Sequence, residues 1–435
     1  MSRQQREESF RIVSAPIGIC LISGNHLCHN PRVLKEADTL SAAGYRIQVL
    51  GAALDRDLAA ADRKLMTSRD WTFTPVVDMT RESPSDGART LLRARTKGGR
   101  ILGQTLGLEN HWQLGYCAPE LLSAARKSDA SLFIAHSEQA LWVVNALHRD
   151  GRATATDMED WFSEDLLPEA REERPIALLR TLEAQTLRTA RHASCTSTAM
   201  SRALAVQYEC APPAVIYNAF AWSDRQSIDA SYRDRRDRSL RSIHWYSQTI
   251  GPGRGLEDLL PALASVRADV EIHLRGNLPP ASKAWLDGLI EPRWRERIYI
   301  HPLVPNEELL SRIAEHDIGF AGEMTYCRSR ELTVTNKILH YLLAGLAVVA
   351  SNTPGHLEVA DAAPGAVLTY VSGDRKGLAE RINALLSSPD CQMSAQQSAL
   401  RAAERTFCWE KQRDVLLQSV SRALDAPAET RKAMR

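Results

Sequence analysis

The sequence predicts an α/β protein made of two Rossmann-like domains that face each other across a cleft. Three observations carry this. Residues 336–351 read as a helix, a glycine and a strand. Ile338, Leu339, Leu342 and Leu343 fall at helical spacing, Gly345 ends the helix, and residues 346–350 form an apolar run with two adjacent valines. Residues 17–50 read as a strand–helix–strand opening, the signature of a parallel, doubly wound sheet. A second α/β pattern starts near residue 242, after a charged stretch, and 435 residues are long for one core.

The elements follow in order. A strand at 17–22 ends in the polar loop Ser23-Gly24-Asn25-His26. A helix begins near Pro31, with Val33, Leu34, Ala37 and Leu40 on one face and Gly44 as its stop, and a second strand runs over 45–50. Strands at 131–135, 153–156, 192–196 and 214–217 complete a first domain over 1–220. Residues 221–240 are crowded with Asp and Arg and have little apolar content, which predicts a solvated linker. The second domain, 241–400, starts with a strand at 242–246, a loop over 247–255 and a helix over 256–266. Strands at 270–274, 297–300 and 317–321, the 336–351 unit and a strand at 366–370 follow. An amphipathic helix at 409–424, inside the last segment 401–435, is expected to pack back on the first domain. In open α/β sheets ligands bind beyond the carboxyl ends of the strands. The loops there, Ser351-Asn-Thr-Pro-Gly among them, are the candidate binding loops.

Composition narrows the function. Hydrophobic residues make up 44% and charged residues 25%, as in a globular protein, and a net charge of +1 argues against a general nucleic-acid binder. The eight cysteines include no C-x-x-C pair, so no zinc knuckle or redox motif is expected. The first residues are polar and charged, and the run 12–22 is broken by Ser14, Pro16 and Gly18, so no secretory leader is expected. No stretch is long and apolar enough to span a bilayer, and a cytoplasmic protein with reduced thiols is predicted.

Several motifs in order resemble one family. Asn336-Lys337…Tyr341-Leu-x-Ala-Gly345-Leu-x-Val-Val-Ala-Ser351 is similar to the nucleotide-sugar site of retaining GT-B glycosyltransferases, the group called family 4 or group 1. Asn30-Pro31-Arg32-Val33…Ala43-Gly44-Tyr45 resembles the first helix of their acceptor domain, and Ser131-Leu-Phe-Ile-Ala-His136 the strand before their cleft. Cys195-Thr-Ser197 and Val215-Ile-Tyr-Asn218 resemble the end of that domain. Gly251-Pro-Gly-Arg254-Gly255-Leu256-Glu257 resembles the donor-phosphate loop, and Leu303-Val304-Pro305 also fits. The resemblance implies a GT-B fold and transfer of a sugar, with retention, from a UDP- or GDP-sugar to a hydroxyl of a glycan, lipid-linked or small-molecule acceptor. It implies no cofactor and no obligatory metal.

The same residues suggest chemistry. A leaving diphosphate needs cations or backbone N–H groups. The glycines Gly253 and Gly255 let the backbone approach it, and Arg254, where the family usually has a lysine, could grip two oxygens. The family's usual arginine, five residues earlier, is Thr249 here, and Lys337 is expected to replace part of its charge. The family's Glu-x7-Glu element places a ribose-binding carboxylate five residues before the glycine; that place is His340, whose imidazole can make one such bond. Glu323 and Glu331 keep the Glu-x7-Glu separation but lie earlier. Glu323 is expected to face the donor as a catalytic group, and Glu331, Asn336 and Val304 to line the nucleotide. His136, at the end of its strand, is expected near the transferred sugar. Asn25, His26, Asp157 and Glu159 are the acceptor candidates, and a general base is sought among Asp157, Glu159 and Asp160. The alternative for these carboxylates is the first turn of a solvated helix.

Arg89, Arg93, Lys97 and Arg100 recur at helical spacing, with no acid between Gly87 and Leu108. Such a face can attract anionic headgroups at a membrane's inner surface, or simply be solvated. Two other functional classes remain open: a GT-B-like binding or scaffold protein without turnover, for which His340 and Thr249 speak, and a sugar-nucleotide epimerase.

Overall fold

A computed structural model describes residues 16–80 and 86–426. The start of the 12–22 run lies outside the described residues. The first domain holds a seven-stranded sheet of β1 (Gly18–Ile22), β2 (Arg46–Ala53), β3 (Thr72–Asp78), β4 (Leu132–Ala135), β5 (Thr154–Met158), β6 (His192–Cys195) and β7 (Ala214–Val215), in the order β3-β2-β1-β4-β5-β6-β7. The second holds six strands: β8 (Arg241–Thr249), β9 (Val270–Asn277), β10 (Ile298–His301), β11 (Ile318–Ala321), β12 (Ala347–Ser351) and β13 (Val367–Tyr370). Their order is β10-β9-β8-β11-β12-β13. All the pairings are parallel. Strand order reverses at β1/β4 and at β8/β11, and the crevices at those two reversals are where such sheets take ligands.

Local chemistry explains the elements that matter. The helix Pro31–Ala42 starts on Asn30, whose side chain accepts from the Val33 N–H at 3.0 Å, and has proline at its first position. Its Val33, Ala37 and Leu40 pack with Ile19 and Leu21 of β1. The helix Asn336–Ala344 ends at Gly345, which adopts φ +84°. One strand escaped the sequence reading. β3 contains Pro75, which suits only an edge position, and it lies at the edge with an irregular register beside Gly51.

The charged stretch 221–240 is not a free linker. It lies along the second domain: Asp229 pairs with Arg312 at 2.6 Å, Arg235 with Asp317 at 3.1 Å and Glu271 at 3.3 Å, and Asp234 with Arg275. Its alternating signs match those of the surface beneath. The C-terminal helix Trp409–Asp425 returns to the first domain, where Leu416, Val420 and Ala423 are buried against Ile19 and Val33. The chain therefore crosses twice between the domains, side by side: Trp409 N–H donates to Phe220 O at 2.8 Å.

Four histidines gather in the second domain. His316 stacks on His244 with centroids 4.6 Å apart and lies 4.5 Å from His273, which stacks on His301 at 5.2 Å. Burial holds His244 and His316 well below the usual 6.5 and His273 at about 3, and the neighbouring cationic groups add to it. Above pH 6.5 these rings are neutral in both the folded and unfolded chain. Below it the unfolded chain binds protons that the fold refuses, at about 1.4 kcal/mol per group per pH unit. The urea midpoint should fall as the pH drops from 6.5 toward about 3, the folded value of His273. A flat midpoint across that window would contradict the neutral stack.

Candidate active site

The crevice at β8/β11 is built from three segments. After β8, residues 250–255 turn sharply into the short helix Leu256–Ala262. Gly253 and Gly255 have φ +84° and +83°, and a Cβ on Gly255 would lie 2.7 Å from Gly322 Cα. Only glycine permits this contact between the loops that follow β8 and β11. The loop is braced by Trp245, whose Nε1–H donates to Arg254 O at 3.1 Å, and by Glu257, which accepts from Gly253 N–H at 2.5 Å. The Arg254 side chain is half-buried and has no bonded partner among the described residues.

The second segment follows β11. Glu323 N–H donates to Ser351 Oγ at 2.9 Å, tying the ends of β11 and β12 together. The Glu323 carboxylate is 1% exposed and accepts from Lys337 Nζ at 2.6 Å. Burial opposes its charge, but Lys337, with His356 and Arg330, outweighs burial and holds the carboxyl below the usual range. Arg330 Nη1 stands 3.9 Å from the other Glu323 oxygen, and its Nε 3.9 Å from Asp165 of the first domain. Tyr326 lies against Gly253 and within 5.9 Å of the Arg330 guanidinium. Thus Arg254 and Arg330 flank Tyr326 at the mouth of the crevice.

The third segment is the helix Asn336–Ala344. His340 is stacked on Phe220 at 3.4 Å, and its Nδ1 is bonded to Tyr246 Oη at 2.6 Å. Burial, then Lys35, lowers its imidazole to about 3, so it is neutral. One nitrogen, Nε2, is left without a bond among the described residues. Asn336 accepts from Asn218 Nδ2 at 3.0 Å, and Asn218 accepts from Lys35 Nζ at 2.9 Å, a chain that links the domains. Thr249 is exposed at the end of β8, Val304 is half-buried in the loop after β10, and Glu331 is half-buried in the helix Arg328–Leu332.

Across the cleft stand the ends of β4 and β5. Here three sequence expectations fail. His26 is 4% exposed and fully used: Nε2 accepts from the N–H groups of Leu54 and Asp55 at 2.8 and 3.0 Å, and Nδ1 bonds Asp62 at 2.7 Å. Asp157 is 1% exposed, bidentate to Arg32, with Ser194 Oγ donating at 2.5 Å. His136 has no exposed side-chain surface and sits 2.9 Å from Glu36 and 3.3 Å from Glu159. Burial alone would lower its pKa, but the Glu36 charge and the bonds to Glu159 and Glu36 hold it at about 10. These groups brace the carboxyl ends of the central strands, with their polar atoms engaged by protein. Glu323 is likewise enclosed, as the ion-pair partner of Lys337 rather than an open carboxylate. Among the described residues, Glu36, His136 and Asp157 alone bring three ligand-type atoms within 4.8 Å of one another. Arg32 and the cationic His136 already occupy that charge, so the group does not fit a metal ion.

Open to the cleft are Asn25, Glu159 in part, and Asp160. Glu159 accepts from Asn30 Nδ2 at 3.1 Å. Asp160 is exposed. Crowding by protein, then the Asp165 and Glu159 charges, raise its carboxyl above the usual value, and Arg330 opposes them. The next residue, Trp161, donates its N–H to Ser329 of the second domain at 3.0 Å, which fixes Asp160 opposite Arg330. Arg330 and Tyr326 were missed in the sequence. Their segment, Tyr326-Cys-Arg-Ser-Arg330-Glu331, drew notice only for its glutamate, though two arginines beside a tyrosine were the stronger signal.

Comparison with known proteins agrees with this geometry. The family model for group 1 glycosyl transferases matches residues 245–388, which contain all three segments of the β8/β11 crevice. No curated protein sequence matches. The fold is similar to that of Anabaena HepE solved in complex with UDP, at 16% identity over 93% of this chain and 100% of that one, with a TM-score of 0.68. It is similar to sucrose-phosphate synthase from Thermosynechococcus elongatus, at 14% identity over 93% and 98%, TM-score 0.67. A putative UDP-N-acetylglucosamine 2-epimerase from Listeria monocytogenes also matches, at 12% identity over 95% and 98%, TM-score 0.55. These likenesses establish the GT-B architecture of two facing parallel-sheet domains.

Proposed function

We propose that the protein is a glycosyltransferase that moves a sugar, with retention, from a nucleoside-diphosphate sugar to a hydroxyl of a glycan, lipid-linked or small-molecule acceptor. One observation carries the reading: Arg254 is a cation without a partner among the described residues, on a glycine loop at the β8/β11 crevice. A diphosphate is the ligand chemistry such a loop suits. Arg330 supplies the second cation that Thr249 does not. The sugar C1–O bond to the diphosphate breaks as the acceptor oxygen bonds C1 from the same face, and the hydroxyl proton passes to the leaving phosphate oxygen. Asp160 orients that hydroxyl from the first domain. UDP and GDP are the candidate nucleotides. The complex of HepE with UDP supports UDP as the first to try, and no separate cofactor is invoked.

His340 favours a second reading. The ring that replaces the expected carboxylate is covered on one face by Phe220 and tied to Tyr246, as befits a binding protein without turnover. The test is nucleotide release from a panel of UDP- and GDP-sugars, with and without a crude glycan or lipid acceptor. Release with one donor, stimulated by acceptor, is expected. Calorimetric binding of a nucleotide with no release from any donor would establish the second reading instead. Conversion of a donor sugar to its epimer without transfer would replace both.

A further inference from the structure

The helix Asp86–Leu106 belongs to the first domain, and nothing in the proposed chemistry uses it. At about 100° per residue its side chains sort into three bands. Leu92, Thr96 and Gly99 form the band that faces the protein. Leu92 and Thr96 are buried, and a Cβ on Gly99 would lie 2.9 Å from Trp112. On the same helix, between Leu102 and Leu106 in projection, Arg95 is anchored to Glu120 at 2.9 Å. The outward half carries the other two bands. One is apolar: Leu91, Ile101, Leu102 and Leu106 are 60%, 47%, 38% and 63% exposed. The other is basic: Arg93, Lys97 and Arg100 are exposed and form no ion pair among the described residues. Arg89 lies on the same turn face, and its side chain is outside the described residues.

Four large exposed aliphatic groups on one helix are unusual for a solvated surface. Beside a row of unpaired cations, with no acid from Gly87 to Leu108 to neutralise it, they form the profile of a helix that lies in a membrane interface. We infer that this helix is the docking surface for an anionic lipid bilayer, its aliphatic band inserted among the acyl chains and its basic row on the headgroups. An acidic protein could satisfy the cations but would leave the aliphatic band without a role. The charge complement and the apolar band together select the bilayer. The inference stands apart from the donor chemistry, since none of the described side chains of the helix reaches the β8/β11 crevice.

The full chain should co-sediment at low salt with vesicles containing phosphatidylglycerol, and about tenfold or more weakly with vesicles of phosphatidylcholine alone. Replacing Arg93, Lys97 and Arg100 by Glu should abolish binding. Replacing Leu91, Ile101 and Leu102 by Ser should weaken it by about tenfold or more while the basic row stays intact. All six side chains are exposed, and unchanged circular dichroism and urea midpoint would show that the variants fold. Absence of wild-type co-sedimentation overturns the inference, as does binding that neither variant alters. A dimer that the serine variant disperses, without vesicle binding, would assign the face to a second copy. Nucleotide release in vesicle-free solution reads the donor chemistry separately.

Discussion

Arg32→Met should destabilise the protein by about 3–5 kcal/mol, the usual cost of removing one partner from a buried ion pair. Arg32 is 2% exposed and holds both oxygens of Asp157 while donating to Ile216 O at 2.8 Å. It thereby joins the helix Pro31–Ala42 to β5 and to the segment after β7. Burial opposes its charge, but Asp157 first, then Glu159 and Glu36, raise its pKa, so the guanidinium offsets all three carboxylates. Without it, Asp157 keeps only the Ser194 hydroxyl and the more distant His136, at 3.5 Å. The check is the shift of the urea midpoint. The double change Arg32→Met with Asp157→Leu should recover much of the loss, because it removes the stranded charge as well. A single-variant loss under about 1 kcal/mol would show that Asp157 is not buried as described.

Arg254→Ala should weaken binding of UDP or GDP roughly tenfold to hundredfold, the worth of one or more charge-assisted hydrogen bonds of about 1.5–3 kcal/mol. The same change should leave the urea midpoint nearly unmoved, because the Arg254 side chain bonds nothing among the described residues. This pairing of a large binding effect with a negligible stability effect separates a ligand group from a structural one. Arg254→Lys should fall between, since an ammonium keeps the charge but loses the fork. Titration calorimetry of both variants provides the measurement. Unchanged affinity in Arg254→Ala would remove the phosphate role.

The two predictions concern residues that the sequence treated differently. Arg254 was legible because a Gly-Pro-Gly-Arg-Gly loop between strand and helix has a local meaning: the glycines set the backbone, and the backbone sets the site. Arg32 was visible only as part of a family-like helix. Its partner Asp157 lies far along the chain, and spacing cannot show which distant carboxylate a buried guanidinium meets. The same limit misassigned His26 and His136. Both stand at carboxyl ends of strands, where substrate contacts are expected, but each is enclosed by side chains from segments remote in sequence, Asp62 for one and Glu36 for the other.

Periodicity and glycine placement determined the two α/β domains, nearly every strand, the glycine loop after β8 and the basic row on the Asp86–Leu106 helix. Hydrophobic spacing of this kind expresses burial along one element, so it survives in the chain itself. Tertiary structure decided which polar groups are spent and which are free. It tied the charged stretch 221–240 to the second domain, enclosed Glu323 with Lys337, set Arg330 and Asp160 against each other across the cleft, and left Arg254 open. Electrostatic partnership depends on distances between segments, and burial turns a small difference in those distances into the difference between a structural ion pair and a reactive group.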